Sequence, residues 1–284
     1  MASSSGRVRP LNVGNVVTAG LKLYGANRKQ YLKIALKAYL WILVPVYGWA
    51  KYLMLSALIA RLAFKEVIGE PESPAAGRRE LQPRMWSFLL LGLLIGLIFV
   101  GVYFALSLVS MLAAFVVGGL IGFALSAAFG SNIGAGAGFI IGALVFLVVF
   151  LPVLLWLVTR WLLAEVPLAL EESTDPTVAI SRSWKLTKNS TLRLVFVVTV
   201  AFLVSLPILL LTNYLPQIPL YLVEPFSPQY WLIYFCTLIV SFIGGILLLP
   251  FWQAIKAVLY YDLRSRQEGL DIEFRGRGPT DASV

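Results

Sequence analysis

The sequence predicts an all-α integral membrane protein of about six transmembrane helices with two cytoplasmic interfacial amphipathic helices. Three observations predict it. Of 284 residues, 59% are hydrophobic and only 13% are charged, with a mean hydropathy of +0.84. A soluble domain carries about 25% charged residues, and half that charge does not cover the surface of a globule this size. Uncharged apolar runs reach the roughly 20 residues that a helix needs to cross a hydrocarbon core about 30 Å thick. Finally, the 23 Lys and Arg residues, net charge +9, fall in blocks between those runs.

The same composition excludes a soluble enzyme and a disordered chain. Histidine is absent and Cys236 is the only cysteine. That removes the commonest general base, the commonest metal ligand, disulfide frameworks and zinc clusters together. No cofactor and no metal are expected.

Along the chain, residues 1–11 read as a disordered tail, 12–273 as a single polytopic membrane domain and 274–284 as a second tail. MASSSGRVRP leads into an amphipathic stretch and carries no apolar core with a small-residue cleavage site, so no cleaved signal is expected. In 12–29, Val13, Val16, Val17, Gly20, Leu21 and Tyr24 form one stripe at helical spacing. Asn12, Asn15, Thr18, Lys22 and Lys29 fill the other faces, as in a helix lying in the headgroup plane.

The region 31–66 is apolar but broken by Pro45-Val46-Tyr47-Gly48-Trp49, where proline forces a bend. It reads either as a hairpin of two short spans, about 31–47 and 50–66, or as one span with a basic lead-in. Positive residues collect on the cytoplasmic side of short loops. With the hairpin, 22 of 23 Lys and Arg fall on one side and Lys51 is the exception, so the hairpin is preferred. Four longer spans follow at about 86–110, 138–160, 192–213 and 231–260, placing both termini in the cytoplasm. The outward loop 111–137 holds no charge, and 212–230 holds only Glu224.

A second amphipathic helix is expected at 175–190, where Asp175 caps a helix beginning at Pro176. Ile180 and Trp184 share one face; Arg182, Lys185 and Lys188 share another. A shift of 162 residues superposes Asn27 on Asn189 and Pro45 on Pro207, and FKEVIGE at 64–70 echoes RSRQEGL at 264–270. A parallel internal repeat would produce these matches.

Glycines four apart allow close helix packing in a membrane, which marks Gly92, Gly96, Gly118, Gly122, Gly134, Gly138 and Gly142. The stretch GSNIGAGAGFIIG at 130–142 lacks the Lys-Ser/Thr and the preceding strand of a phosphate loop, and reads as packing and an outer turn. Aromatics gather at the expected interfaces, among them Trp41, Trp49, Trp86, Trp156, Trp231 and Trp252. Acids sit at helix ends and tails. Glu165 reads as an interfacial ion-pair member one turn from Arg160, Lys37 and Lys51 as snorkelling lysines, and Cys236 as a packing residue. Each cation near an anionic leaflet contributes roughly 1 kcal/mol of attraction. Lys22, Arg28, Lys29, Arg182, Lys185, Lys188, Arg264 and Arg266 are therefore the expected contacts to anionic lipid. No motif for reading nucleic acid accompanies them.

LNVGNVVTAGLKLYGANRKQYL, the following Leu-Val-Pro and Tyr-Gly, AISRSWKLTKNSTLRL and YYDLRSRQEGLD carry a resemblance that spans residues 11–273. On them the chain resembles a broad prokaryotic family named for the membrane domain attached to some glycerophosphoryl diester phosphodiesterases. Its most specific parts are Arg-Ser-Trp-x-Leu at 182–186 and Leu-Arg-x-Arg-x-Glu-Gly-Leu-Asp at 263–271. The resemblance implies a six-helix membrane domain and assigns no catalytic residue to this chain. The phosphodiesterase's soluble catalytic barrel is missing from it.

The expected function is a non-enzymatic structural, lipid-contacting or assembly component of a bacterial-type membrane, either the cytoplasmic or the thylakoid membrane. Its partners would be anionic lipids, other membrane proteins or further copies of itself. The alternative is a transporter or channel for a small neutral or amphiphilic solute, for which Pro45, Pro152 and Pro207 would break helices around a path.

Overall fold

The computed structural model describes residues 13–171 and 175–268. The expected tails, with Arg7, Arg9, Arg275 and Arg277, and the residues Asn12, Glu172, Asp271 and Glu273 lie outside the described residues. Within them every regular element is helical. In order they are α1 Val13–Ala26, α2 Arg28–Ile42, α3 Tyr47–Val67, α4 Pro74–Leu81, α5 Met85–Phe129, α6 Ser131–Trp161, α7 Glu165–Leu170, α8 Pro176–Thr187, α9 Thr191–Leu209 and α10 Pro228–Glu268. A π-turn and a 3-10 run, Leu210–Tyr214 and Leu215–Leu222, carry α9 towards α10. The described residues divide into two compact units, those within 1–91 and 162–284, and those within 92–161.

The first unit is built around α3. Every residue from Met54 to Phe64 is buried, small Ala alternating with Leu, Ile, Met and Phe so that neighbours approach on all sides. α2 folds back along α3 through a tight turn in which Val46 takes a positive φ of 59°. α10 lies parallel to α3: Gln253 bonds Ser56, and the Tyr260 ring meets the Phe64 ring edge-on at 5.6 Å. α1 fills the groove between α9 and α10. Val16 and Val17 join Leu194, Val197, Ala201, Ile255, Val258 and Leu259 in one core, and a Cβ on Gly20 would stand 2.8 Å from Ile255.

Two expectations change here. The described part of the stretch 12–29 is not one helix. It breaks at Asn27 into α1 and the start of α2, and Val16, Val17 and Gly20 are covered by protein. The six-span count also changes, because four helical stretches are long and apolar enough to cross a membrane: 74–129, 131–170, 191–222 and 228–267. The expected spans 31–47 and 50–66 are not among them. α2 has 15 residues including Arg28, Lys29, Lys33 and Lys37, and α3 carries Lys51, Arg61, Lys65 and Glu66. Their apolar content is spent on the protein core, which composition alone does not distinguish from a lipid-facing surface.

The register of the hairpin against α10 supplies a second reason. Tyr39 of α2 packs on Phe242 at 5.6 Å, and a Cβ on Gly245 would meet its hydroxyl. At 1.5 Å per residue the 43–46 turn lies only about 6 Å past Tyr39, whereas α10 runs about 21 Å from Phe242 back to Pro228. The exposed apolar part of α10 therefore outruns the hairpin by about 15 Å, half a hydrocarbon core.

The second unit is a hairpin of α6 with the later part of α5. Gly118 lies against Gly138 and Gly142, Gly122 against Gly134 and Gly138, and Tyr103 meets Phe150 at 5.5 Å, so the arms are antiparallel. Gly130 makes the turn at φ +94°, a conformation that suits glycine alone. No charge occurs from Met85 to Thr159. Phe115, Phe123 and Phe139 are each almost four-fifths exposed, a surface that hydrocarbon solvates and water does not.

Candidate functional site

The polar side chains of the first unit form a layer at one end of its bundle. Arg61, at 6% side-chain exposure, occupies the centre. Its Nε donates to Glu72 at 2.8 Å, its two terminal nitrogens donate to Glu80, and one of them also reaches the Ala169 carbonyl at 2.7 Å. One guanidinium thus ties α3 to the loop before α4, to α4 itself and to α7. Such a fork satisfies both carboxylates in planar geometry, which a lysine does not reproduce.

Neighbouring pairs complete the layer. Lys256 of α10 donates to Glu165 at 2.5 Å. Glu165 was expected beside Arg160; its partner is Lys256, and the Arg160 guanidinium lies 5.2 Å from the Trp156 ring. Glu171 accepts from the Tyr260 hydroxyl at 2.7 Å and from Arg182 at 3.1 Å, while its carbonyl accepts from Arg84 at 2.6 Å. Asp262, 4% exposed, accepts from Arg193 at 2.5 Å and Arg266 at 3.0 Å. At the start of α8, the Thr177 amide and hydroxyl both donate to Asp175 at 2.8 Å, and these bonds hold that carboxyl below its usual range.

Within this layer Glu72, Glu165 and Asp262 each face a cation. Among the described residues no group of three His, Cys, Asp or Glu is placed to hold a metal.

The residues expected to contact lipid separate into sets. Lys22 on α1, Arg28 and Lys29 at the start of α2, and Lys185 and Lys188 near the end of α8 are exposed. Arg182 and Arg266 are engaged with Glu171 and Asp262, and Arg264 is half-buried. Two lysines that lipid contact did not include, Lys33 and Lys37, continue the row from Lys29 and line one concavity with it. Their four-residue spacing was the available signal. Lys51 does not snorkel to water. At 4% exposure its ammonium rests 5.5 Å from the Tyr47 ring and 5.9 Å from that of Trp41.

The glycines separate too. A Cβ on Gly138 would lie 2.6 Å from the Gly118 carbonyl oxygen, one on Gly134 would meet Ser126, and one on Gly142 would stand 3.0 Å from the Ala114 carbonyl. Gly92 is half-buried, and Gly96 has nothing within 4 Å of a Cβ position. An apolar groove of about 540 Å³ follows the seam between Phe115, Phe123, Phe139 and Phe146. Cys236, expected to pack, is exposed on α10.

These features define an all-α membrane protein with an ionic layer and an exposed basic surface. No protein-family model matches the chain, and neither does any curated protein or solved structure.

Proposed function

We propose that the chain is a non-enzymatic component of a bacterial-type membrane, crossing it four times and acting through a basic cytoplasmic face that contacts anionic lipid and holds other membrane components. One observation carries this reading. The partly buried Glu72 and Glu165 and the buried Asp262 are neutralised inside the protein, while Lys29, Lys33 and Lys37 are exposed and ion-pair with no described residue. The cations left over are those that lipid phosphates reach.

The four-crossing topology follows from charge. If the α2–α3 hairpin enters and leaves from the cytoplasmic side, no Lys or Arg lies on the outer side: 22 of 23 are cytoplasmic, and Lys51, which six crossings leave stranded outside, sits within the re-entrant hairpin. The turn at Gly130 and the segment 210–227, which has no Lys or Arg, then face outward. Both termini are cytoplasmic in this arrangement, and the membrane is the cytoplasmic or the thylakoid one. The proposed family remains the one named for the phosphodiesterase membrane domain. α1–α2 and α8–α9 superpose under the 162-residue shift, with breaks at Asn27 and Asn189, which supports an internal duplication.

Purification in mild detergent tests the reading. Stable helical protein carrying anionic lipid or partner subunits, without turnover, is the expected result. Reproducible phosphodiester hydrolysis by the pure chain contradicts it. One observation favours the transporter instead: Gln253, 2% exposed, donates to Ser56 and leaves its own carbonyl oxygen without a described partner. Solute flux into liposomes that Gln253→Leu abolishes would establish that second reading.

A further inference from the structure

Lys29, Lys33 and Lys37 succeed one another at four-residue intervals, so they rise along one face of α2 in steps of about 6 Å. With Gln30, Ile34 and Pro74 they line a concavity of about 390 Å³. All three are exposed, and none forms an ion pair with a described residue. Of the neighbouring acids, Glu70 is committed to Lys65 and both Glu72 and Glu80 to Arg61, while Glu66, exposed on α3 near Tyr31, forms no described ion pair with the three lysines. Pro74 opens α4, whose amino-terminal end adds partial positive charge to that wall.

The same face changes character towards the hairpin turn. Leu36, Leu40, Leu43, Val44 and Val46 are exposed there, between 40% and 70% of each surface open. Cations at one end and branched apolar side chains at the other form an amphiphilic strip. Depth agrees with it. Tyr39 is level with Phe242 and Gly245 in the apolar part of α10, and the lysines run from there towards the level of Lys256 and Glu165. A free anion would use only the upper end of this strip; a lipid uses both.

We propose that this groove binds the phosphate of an anionic phospholipid from the cytoplasmic leaflet, its acyl chains lying along the α2 leucines. The proposal rests on the four-crossing reading and makes it specific. Each lysine supplies a charge-assisted bond to phosphate oxygen, and the hairpin is thereby held at its depth.

Native mass spectrometry of the full chain, released from detergent with added phosphatidylglycerol or phosphatidylcholine of equal chain length, tests it. The triple variant Lys29→Gln, Lys33→Gln, Lys37→Gln should lose phosphatidylglycerol affinity by about tenfold or more, while a triple Lys→Arg variant retains it. Removing three exposed lysines elsewhere, Lys22, Lys185 and Lys188, should change affinity by less than about twofold. Phosphatidylcholine should bind weakly, and inorganic phosphate should not displace the lipid. The proposal is overturned if the glutamine triple binds like the parent, if the distant triple loses as much, or if inorganic phosphate competes at the lipid's own concentration. Circular dichroism of each variant confirms the fold. Release of the parent chain from vesicles by alkaline carbonate would instead sink the membrane reading; retention with no effect of the glutamine triple sinks only the lipid site.

Discussion

Arg61 shows how much of the first unit hangs on one side chain. It holds two carboxylates and a carbonyl from three different segments, at 6% exposure. Arg61→Met leaves the partly buried Glu72 without a counter-charge, and removing one partner of a fully buried pair costs about 3–5 kcal/mol, which sets the upper bound here. Thermal melting in detergent should drop accordingly, and Glu72→Gln in the same chain should recover part of the loss. Asp175 acts more locally. Its carboxyl is held below the usual range by the Thr177 hydroxyl and amide, so the cap is fully present at neutral pH and is lost as pH falls through that lowered value. Asp175→Ala should accelerate hydrogen exchange at the Thr177 amide at neutral pH and leave exchange in α3 unchanged. The Asp175-Pro176 start of α8 was legible because a cap is encoded by adjacent residues. The partners of Arg61 were not, since Ala169 is 108 residues away and nothing local marks it. Glu165 failed for a related reason: Arg160 is near in sequence, yet Lys256, 91 residues on, is near in space.

Among the helices, the glycine hairpin and α3 teach opposite lessons. Four-residue glycine spacing did point to the seam where Gly118 and Gly122 meet Gly134, Gly138 and Gly142. Gly92 and Gly96 have the same spacing, but nothing stands within 4 Å of a Cβ on Gly96. Spacing aligns residues on a face; it does not place a neighbour opposite them. Gly138→Val should push against the Gly118 backbone and destabilise the hairpin by about 1–3 kcal/mol. Gly96→Ala should be neutral or stabilise by about 0.5–1 kcal/mol, because it only removes backbone freedom. Paired fluorescence-detected melts of the two variants compare them directly. α3 misled because an apolar helix surrounded by protein and one surrounded by lipid have similar compositions. Its buried charges were the clue, since Lys51 and Arg61 lie inside the stretch taken for a span.

For the chain as a whole, the proposed arrangement rests on hydrophobic length and basic charge together. Seventy-five consecutive residues between Arg84 and Arg160 carry no charge, and α9 and α10 supply the remaining apolar length. The cations flank these runs, and with the proposed α2–α3 turn within the membrane none of them lies on the outer side. That claim is directly measurable. In a Cys236→Ser background, single cysteines at Val44, Gly130, Glu224 and Lys185 are challenged with a membrane-impermeant maleimide in sealed vesicles of known sidedness. Four crossings predict outside labelling at 130 and 224, cytoplasmic labelling at 185, and none from outside at 44. Outside labelling at position 44, or cytoplasmic labelling at 130, would contradict it.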